Sequence, residues 1–266
     1  MFSMRFFSHK IQSVIKPELQ SLVRYAGAWL TSSTNDLCYI NPNSSPDKNE
    51  RSIAIYCIHG TGDRVSAFKY LAEKMLPDLP EIISTIHLVT FKERGKGIGI
   101  DDFARQLADK IVTDQVKDVI FIGHSRGAIV ASYVAEYLAK QLKINVHGVI
   151  TIGAPFSGTA LARWPFTWFS LSVQQMKKES EFLKNLVRRI TYTTHHYHHI
   201  GGEYDIVVPP ESSYTEKYLG NSIVLKNKGH LSMMLSPELS NHLINCLKET
   251  EQKVIRKSPF RQRYGK

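Results

Sequence analysis

Apolar positions along this chain alternate between two rhythms. Ile53-Ala54-Ile55-Tyr56-Cys57-Ile58 is an unbroken apolar run of strand length, and Phe68, Leu71, Ala72 and Met75 then repeat at helix spacing. A continuous run suits a strand covered on both faces. Spacings of three and four put side chains on one face of a helix. The alternation recurs: Ile82 to Phe91 reads as a strand, and Phe103, Leu107, Ile111 and Val112 as the buried face of a helix. Asp118 to Ile122 leads into a turn that Ile129, Val130, Tyr133, Val134, Tyr137 and Leu138 leave at helix spacing, and Val146 to Ile152 is a further strand. Strands alternating with helices of this length predict βαβ units. The expected class is α/β, with a mostly parallel central sheet and helices on both faces.

After Ile152 the rhythm breaks. Gly153-Ala154-Pro155-Phe156-Ser157-Gly158-Thr159 is a loop, followed by the aromatic stretch Trp164-Pro165-Phe166-Thr167-Trp168-Phe169. Phe182, Leu183, Leu186, Val187 and Ile190 then mark a helix. Residues 156–188 are expected to form an insertion over the strand ends. Trp164, Phe166, Trp168 and Phe169 would line an apolar substrate pocket beneath a lid, or serve as ordinary core of the insertion. Strand character resumes from Arg189 to Ile200, with His195, His196, His198 and His199. Adjacent strand residues face opposite sides, so at most two of these histidines share a face, and a polar cluster on a β-edge is expected rather than a metal site. Ser222 to Leu225 reads as the last strand, and Leu239, Leu243, Ile244 and Leu247 as the closing helix.

The two ends differ from the middle. Residues 1–16 carry Arg5, Lys10 and Lys16 and no acid, with Met4, Phe7, Ile11, Val14 and Ile15 at helical spacing before Pro17. A helix packed on the domain, a basic amphipathic helix on an anionic membrane, and a targeting presequence all fit this pattern. It lacks the unbroken apolar core and small-residue cleavage site of a secretory signal. Residues 19–31 read as a second helix and Asn41 to Glu50 as a polar loop. The expected organisation is a helical segment and loop over 1–45, a central domain over 46–252, and a basic tail over 253–266.

Composition narrows the class. In 266 residues, 42% are hydrophobic and 22% charged, as in a globular protein, and no run reaches the ~20 apolar residues a membrane span requires. Three separated cysteines, Cys38, Cys57 and Cys246, argue against a disulfide framework and for a reducing compartment. The expected location is cytoplasmic, with peripheral membrane contact through the basic ends. The net charge is +10, but Lys253, Arg256, Lys257, Arg261, Arg263 and Lys266 crowd the tail with no acid among them. The body is only mildly basic, so no nucleic-acid partner is expected. The tail could bind an anionic surface at ~1 kcal/mol per Lys or Arg, act as a transport signal, or be a solvated end.

The chemistry centres on Gly123-His124-Ser125-Arg126-Gly127. This is G-x-S-x-G at a strand-to-helix turn, where glycines two before and two after let backbones pass closely and the serine hydroxyl projects at the sheet edge. A serine hydroxyl needs a base, usually histidine, and a carboxylate to hold that base in the right tautomer. In this architecture the chain order is Ser, Asp or Glu, then His, each after a strand. Ser125, Asp205 and His230 satisfy the order and the positions. The backbone N–H groups of Arg126 and of Thr61, in the loop His59-Gly60-Thr61-Gly62-Asp63, would form the oxyanion hole, each donor typically worth ~3 kcal/mol of barrier. Glu203 could replace Asp205, but the rigid Val207-Val208-Pro209-Pro210 run fixes Asp205 better. His124 is expected to point away from the nucleophile, and His59 to brace its loop.

These residues resemble those of the α/β-hydrolase fold superfamily, within it the lipase-type serine esterases, including bacterial triacylglycerol lipases and GPI inositol-deacylase-like proteins. The resemblance runs from about Ser52 to Leu247. It is carried by His59-Gly60-Thr61-Gly62, the Ser125 motif, Gly153-Ala154-Pro155 with Gly158-Thr159, Asp205 with Val207-Val208-Pro209, and Gly229-His230. Ser180 with Phe182-Leu183 and Leu186 looks like a lid-region signature. The resemblance implies a serine carboxylic-ester hydrolase, of lipase, esterase or phospholipase type, working through an acyl-enzyme. An acyl-thioesterase, a small-ester esterase and a non-catalytic hydrolase-fold interaction protein are the alternatives. It implies no cofactor and assigns no metal, although some members bind structural calcium or zinc. Arg126 departs from the small or apolar residue often found there, which would put a charge near the acyl or head group. The 156–188 segment is shorter than many lids.

Overall fold

The structure, a computed structural model, describes residues 23, 35–44, 52–61, 63–91, 97–159, 162, 170–215 and 221–256. Seven strands form one sheet in the order β1-β3-β2-β4-β5-β6-β7. They are β1 (Leu37–Ile40), β2 (Ile53–Ile58), β3 (Ile83–Val89), β4 (Asp118–His124), β5 (Asn145–Ile152), β6 (Tyr197–Gly202) and β7 (Ser222–Leu225). Every pairing is parallel except β1 with β3. The expected α/β sheet is present.

Burial explains the continuous apolar runs. All six residues of β2 are buried, alternate ones facing opposite layers. On one face Ala54, Tyr56 and Ile58 pack in a core with α2 (Ile100–Thr113), α3 (Arg126–Tyr133) and α5 (Glu181–Tyr192). On the other, Ile53, Ile55 and Cys57 pack with α1 (Ser66–Met75) and α6 (Pro237–Arg256). Each large side chain so buried contributes about 1.5–3 kcal/mol. The chain runs from β2 outward to β3, then back across to β4. That reversal makes the carboxyl ends of β2 and β4 the point where ligands bind in open α/β sheets.

Five local expectations are corrected. Residues 37–40 form a strand within the supposed helical segment and loop; only Leu37 and Tyr39 pack inward, so four alternating residues left little periodic signal. Asn41 opens the polar loop but is itself buried, donating to the carbonyls of Pro80 and Ile83 at 3.0 and 2.7 Å. Residues 189–192 are the end of α5, so the strand begins only at Tyr197. That strand is not an edge: β6 pairs with β5 and β7, which buries His198 and His199. Val112, expected on a buried helix face, is exposed.

Within the 156–188 stretch, α4 (Leu171–Gln175) precedes α5. Leu183, Leu186 and Ile190 of α5 share the core of α2 and α3, so this half of the stretch belongs to the body of the domain. Ser180 caps α5, its hydroxyl accepting from Leu183 N–H at 3.2 Å. At the other end α6 continues through Arg256, taking Lys253 and Arg256 of the basic tail into the helix. The expected helices of 1–16 and 19–31 lie outside the described residues apart from Val23, as do 257–266. No described helix is long and apolar enough to cross a membrane.

Candidate active site

Ser125 stands between β4 and α3 with φ +54° and ψ −124°, a conformation that L-residues rarely adopt. Strain of this kind costs on the order of 1–3 kcal/mol and persists only where the surroundings enforce it. Here they do. A Cβ on Gly127 would lie 2.0 Å from the carbonyl oxygen of Ile58, and one on Gly123 would lie 2.4 Å from Cα of Ala128. The turn is pressed against the end of β2, and only glycine fits on either side of it. Ser125 N–H donates to Ile152 O at 2.8 Å, tying the turn to the end of β5.

Asp205 and His230 meet beside the same strand ends. Oδ2 of Asp205 is 2.6 Å from Nδ1 of His230, and both residues are buried. The other carboxylate oxygen, Oδ1, accepts the backbone N–H groups of Val207 and Val208 at 2.9 and 2.8 Å. With both oxygens occupied, the carboxylate cannot rotate away, and the Nδ1–H tautomer of His230 is selected. The Val207-Val208 run thus acts through backbone donors. Glu203 turns elsewhere: it is exposed and accepts from Asn227 N–H at 2.9 Å. Gly153, next to Ile152 and with φ +54°, passes so close that a Cβ there would lie 3.1 Å from Cε1 of His230. The β5 end therefore touches both the Ser125 backbone and the His230 ring.

His124 does not point away from this assembly. Its ring packs against His230, centroids 4.6 Å apart, and its Nε2–H donates to the His230 carbonyl at 3.2 Å. Its Nδ1 faces Oδ2 of Asp63 at 3.7 Å. Burial holds its pKa below the usual histidine value. Asp63 was in view in the sequence as the last residue of the glycine loop, but no spacing rule links it to His124. His59 does brace its loop, Nδ1 lying 3.0 Å from Gly60 O and the ring edge-on to Phe91.

The loop after β2 approaches Ser125 closely: a Cβ on Gly60 would lie 3.1 Å from Cβ of Ser125. Thr61, the next residue, is exposed at this mouth. Arg126 follows Ser125 at the start of α3, so its N–H lies in the first turn of that helix. Its side chain contradicts the expectation of a charge beside the substrate. The guanidinium is buried, lies over the Phe103 ring at 4.2 Å, and donates to Ser172 Oγ of α4 at 3.4 Å. The charge is held inside, between α2 and α4. Trp164, Phe166, Trp168 and Phe169 lie outside the described residues. Among the described residues no group of three or more His, Cys, Asp or Glu side chains could hold a metal ion.

No family model matches the chain, and no curated protein matches it by sequence. Solved structures do match in three dimensions. A lipase from Bacillus licheniformis, in its mature form, superposes with a TM-score of 0.59 at 15% identity, over 81% of this chain and 99% of that one. A peroxisomal α/β-hydrolase from Saccharomyces cerevisiae gives 0.57 at 16% identity, over 84% and 82%. A monoacylglycerol lipase from Paleococcus ferrophilus gives 0.57 at 13% identity, over 82% and 100%. The chain has the α/β-hydrolase fold, with the lipases and esterases of that fold as its structural neighbours.

Proposed function

We propose that this protein is a serine hydrolase that cleaves carboxylic esters of acyl lipids. The observation that carries the reading is the 2.6 Å Asp205–His230 pair, buried beside a strained Ser125 at the switch point of the sheet. His230 Nε2 takes the Ser125 proton as the hydroxyl attacks the ester carbonyl. Asp205 stabilises the imidazolium that forms, because its Oδ2 already accepts Nδ1–H. The developing oxyanion is met by the N–H groups of Thr61, in the loop after β2, and of Arg126, at the start of α3. His230 returns the proton to the leaving alcohol. Water then repeats the sequence on the acyl-enzyme, regenerating Ser125.

Three features support an acyl-lipid substrate. Ile206, beside Asp205, is 82% exposed and presents an apolar side chain next to the site. The aromatic stretch 164–169 follows the Gly153 loop in sequence. Two of the structural neighbours above bear the name lipase. The basic residues of both ends would hold the protein on an anionic membrane. Hydrolysis of p-nitrophenyl esters of increasing acyl length tests the substrate class. Rates that rise with chain length support it. An optimum at acetate identifies a small-ester esterase instead.

A further inference from the structure

A second chemically equipped cluster lies two strands away from β4, towards the opposite end of the sheet. Cys38 of β1 and His87 of β3 are directly opposed in the antiparallel register. Cys38 Sγ is 3.9 Å from Nε2 of His87. The other ring nitrogen, Nδ1, is 3.6 Å from Oδ2 of Asp114, the residue that follows α2. Tyr56 of β2 stacks on the imidazole, centroids 4.6 Å apart at 11°, and donates its hydroxyl to the same Asp114 oxygen at 2.7 Å. The Thr85 hydroxyl lies 3.0 Å from Nε2. The imidazole is thus stacked on one face, within hydrogen-bond distance of Thr85 at Nε2 and faced by the Asp114 carboxylate at Nδ1, with its Nε2 edge toward the sulfur. Cys38 is exposed, whereas Cys57 and Cys246 are buried.

We propose that Cys38 is a thiol–disulfide exchange site, activated by His87 as general base with Asp114 orienting the imidazole. The co-reactant is a low-molecular-weight disulfide. The thiol proton passes to His87 Nε2 as Sγ attacks one sulfur of the disulfide. A new S–S bond forms, the old one breaks, and the departing thiolate takes the proton from the imidazolium. Cys38 ends oxidised in a mixed disulfide and one half of the reagent ends reduced to thiol. The Thr85 hydroxyl, able to donate or accept, follows the proton on Nε2.

The electrostatics leave a protonated thiol beside a neutral base rather than a preformed ion pair; they oppose a standing thiolate, so the proton must pass to His87 as the sulfur attacks. Burial and then the Asp114 charge push the Cys38 thiol up from 9.0. Burial pulls His87 down from 6.5, against the opposing charges of Asp114 and Asp36. Lys110 pairs with Asp36. Tyr56 is pushed up and stays neutral. At neutral pH the sulfur therefore carries its proton and the imidazole is neutral, able to receive that proton at Nε2 once the Thr85 hydroxyl turns to accept.

The experiment is the reaction of the full chain with 5,5′-dithiobis(2-nitrobenzoate), the adduct located by mass spectrometry. Native protein is expected to react once, at Cys38, and Cys38→Ser to lose that reaction. His87→Gln at pH 7 is expected to slow it at least about tenfold. Asp114→Asn, which keeps the side-chain shape, removes the carboxylate that favours the imidazolium and is expected to slow it too, the weaker base outweighing the relief of the charge that raises the thiol. The native rate should fall on acidification as His87 takes a proton, an inflection that His87→Gln should lack. A native-like rate in both folded variants, or first modification at Cys57 or Cys246, would overturn the proposal.

Discussion

The imidazole of His124 lies under that of His230, 4.6 Å away, and holds the His230 main chain through a 3.2 Å bond from Nε2–H to its carbonyl. In the proposed mechanism the residue before the nucleophile therefore positions the base. His124 is buried and its pKa is lowered, which keeps it neutral when His230 becomes charged. Two facing imidazolium rings would repel. His124→Phe keeps a ring in place and removes the hydrogen bond. We expect kcat to fall about ten- to hundredfold with KM little changed, the range that small misplacements of a reacting group produce. Steady-state ester kinetics on the folded variant measure this, and an unchanged kcat refutes the positioning role.

Asp205→Asn should have a larger effect. The Val207 and Val208 N–H groups need an acceptor, so the Asn carbonyl turns to them and its amide turns to His230 Nδ1. The imidazole then holds its proton on Nε2, the wrong nitrogen for a base. A kcat loss of about 10⁴-fold is expected, with the fold retained. Kinetics paired with a thermal melt check both parts.

Acid should weaken the fold through His198 and His199. Burial depresses their pKa values from 6.5 to about 4 and about 3. The folded state therefore keeps both neutral where the unfolded chain already binds protons. Their contribution is complete above pH 6.5 and is lost as pH falls toward those values. Each is worth up to about 1.4 kcal/mol per pH unit in that window. His199→Gln, replacing a ring held by the Thr151 hydroxyl at 2.7 Å, should flatten the acid limb of a melting-temperature series between pH 6.5 and 4. An acid limb of native steepness would contradict this.

Gly127→Ala tests the elbow itself. Its Cβ would meet Ile58 O at 2.0 Å, and a backbone oxygen in a central strand cannot retreat. A loss of about 3 kcal/mol or more is expected, at the upper end of overpacking costs. Denaturant unfolding measures it, and an unchanged midpoint refutes the contact.

The long strands and helices were legible because a strand buried on both faces must be apolar along its buried length, as β2 and residues 119–122 of β4 are. Ser125, Asp205 and His230 could be picked out because each follows a strand in chain order. Legibility failed where the determinant is a tertiary neighbour. β1 gains its identity only from β3, and Arg126, expected to set a charge near the acyl or head group, is instead drawn inside by Ser172 of α4. His124 has no sequence rule tying it to His230, 106 residues away. The histidines of β6 read as polar surface because nothing local says that β7 covers the strand.

The most direct measurement of the central claim is active-site labelling with a fluorophosphonate, with the modified residue identified by mass spectrometry in native protein and in Ser125→Ala. The account predicts a single adduct on Ser125, no adduct in the alanine variant, and ester turnover lost with it by several orders of magnitude. A folded native protein that takes no label and turns over no ester, or one labelled elsewhere with activity surviving Ser125→Ala, would contradict it.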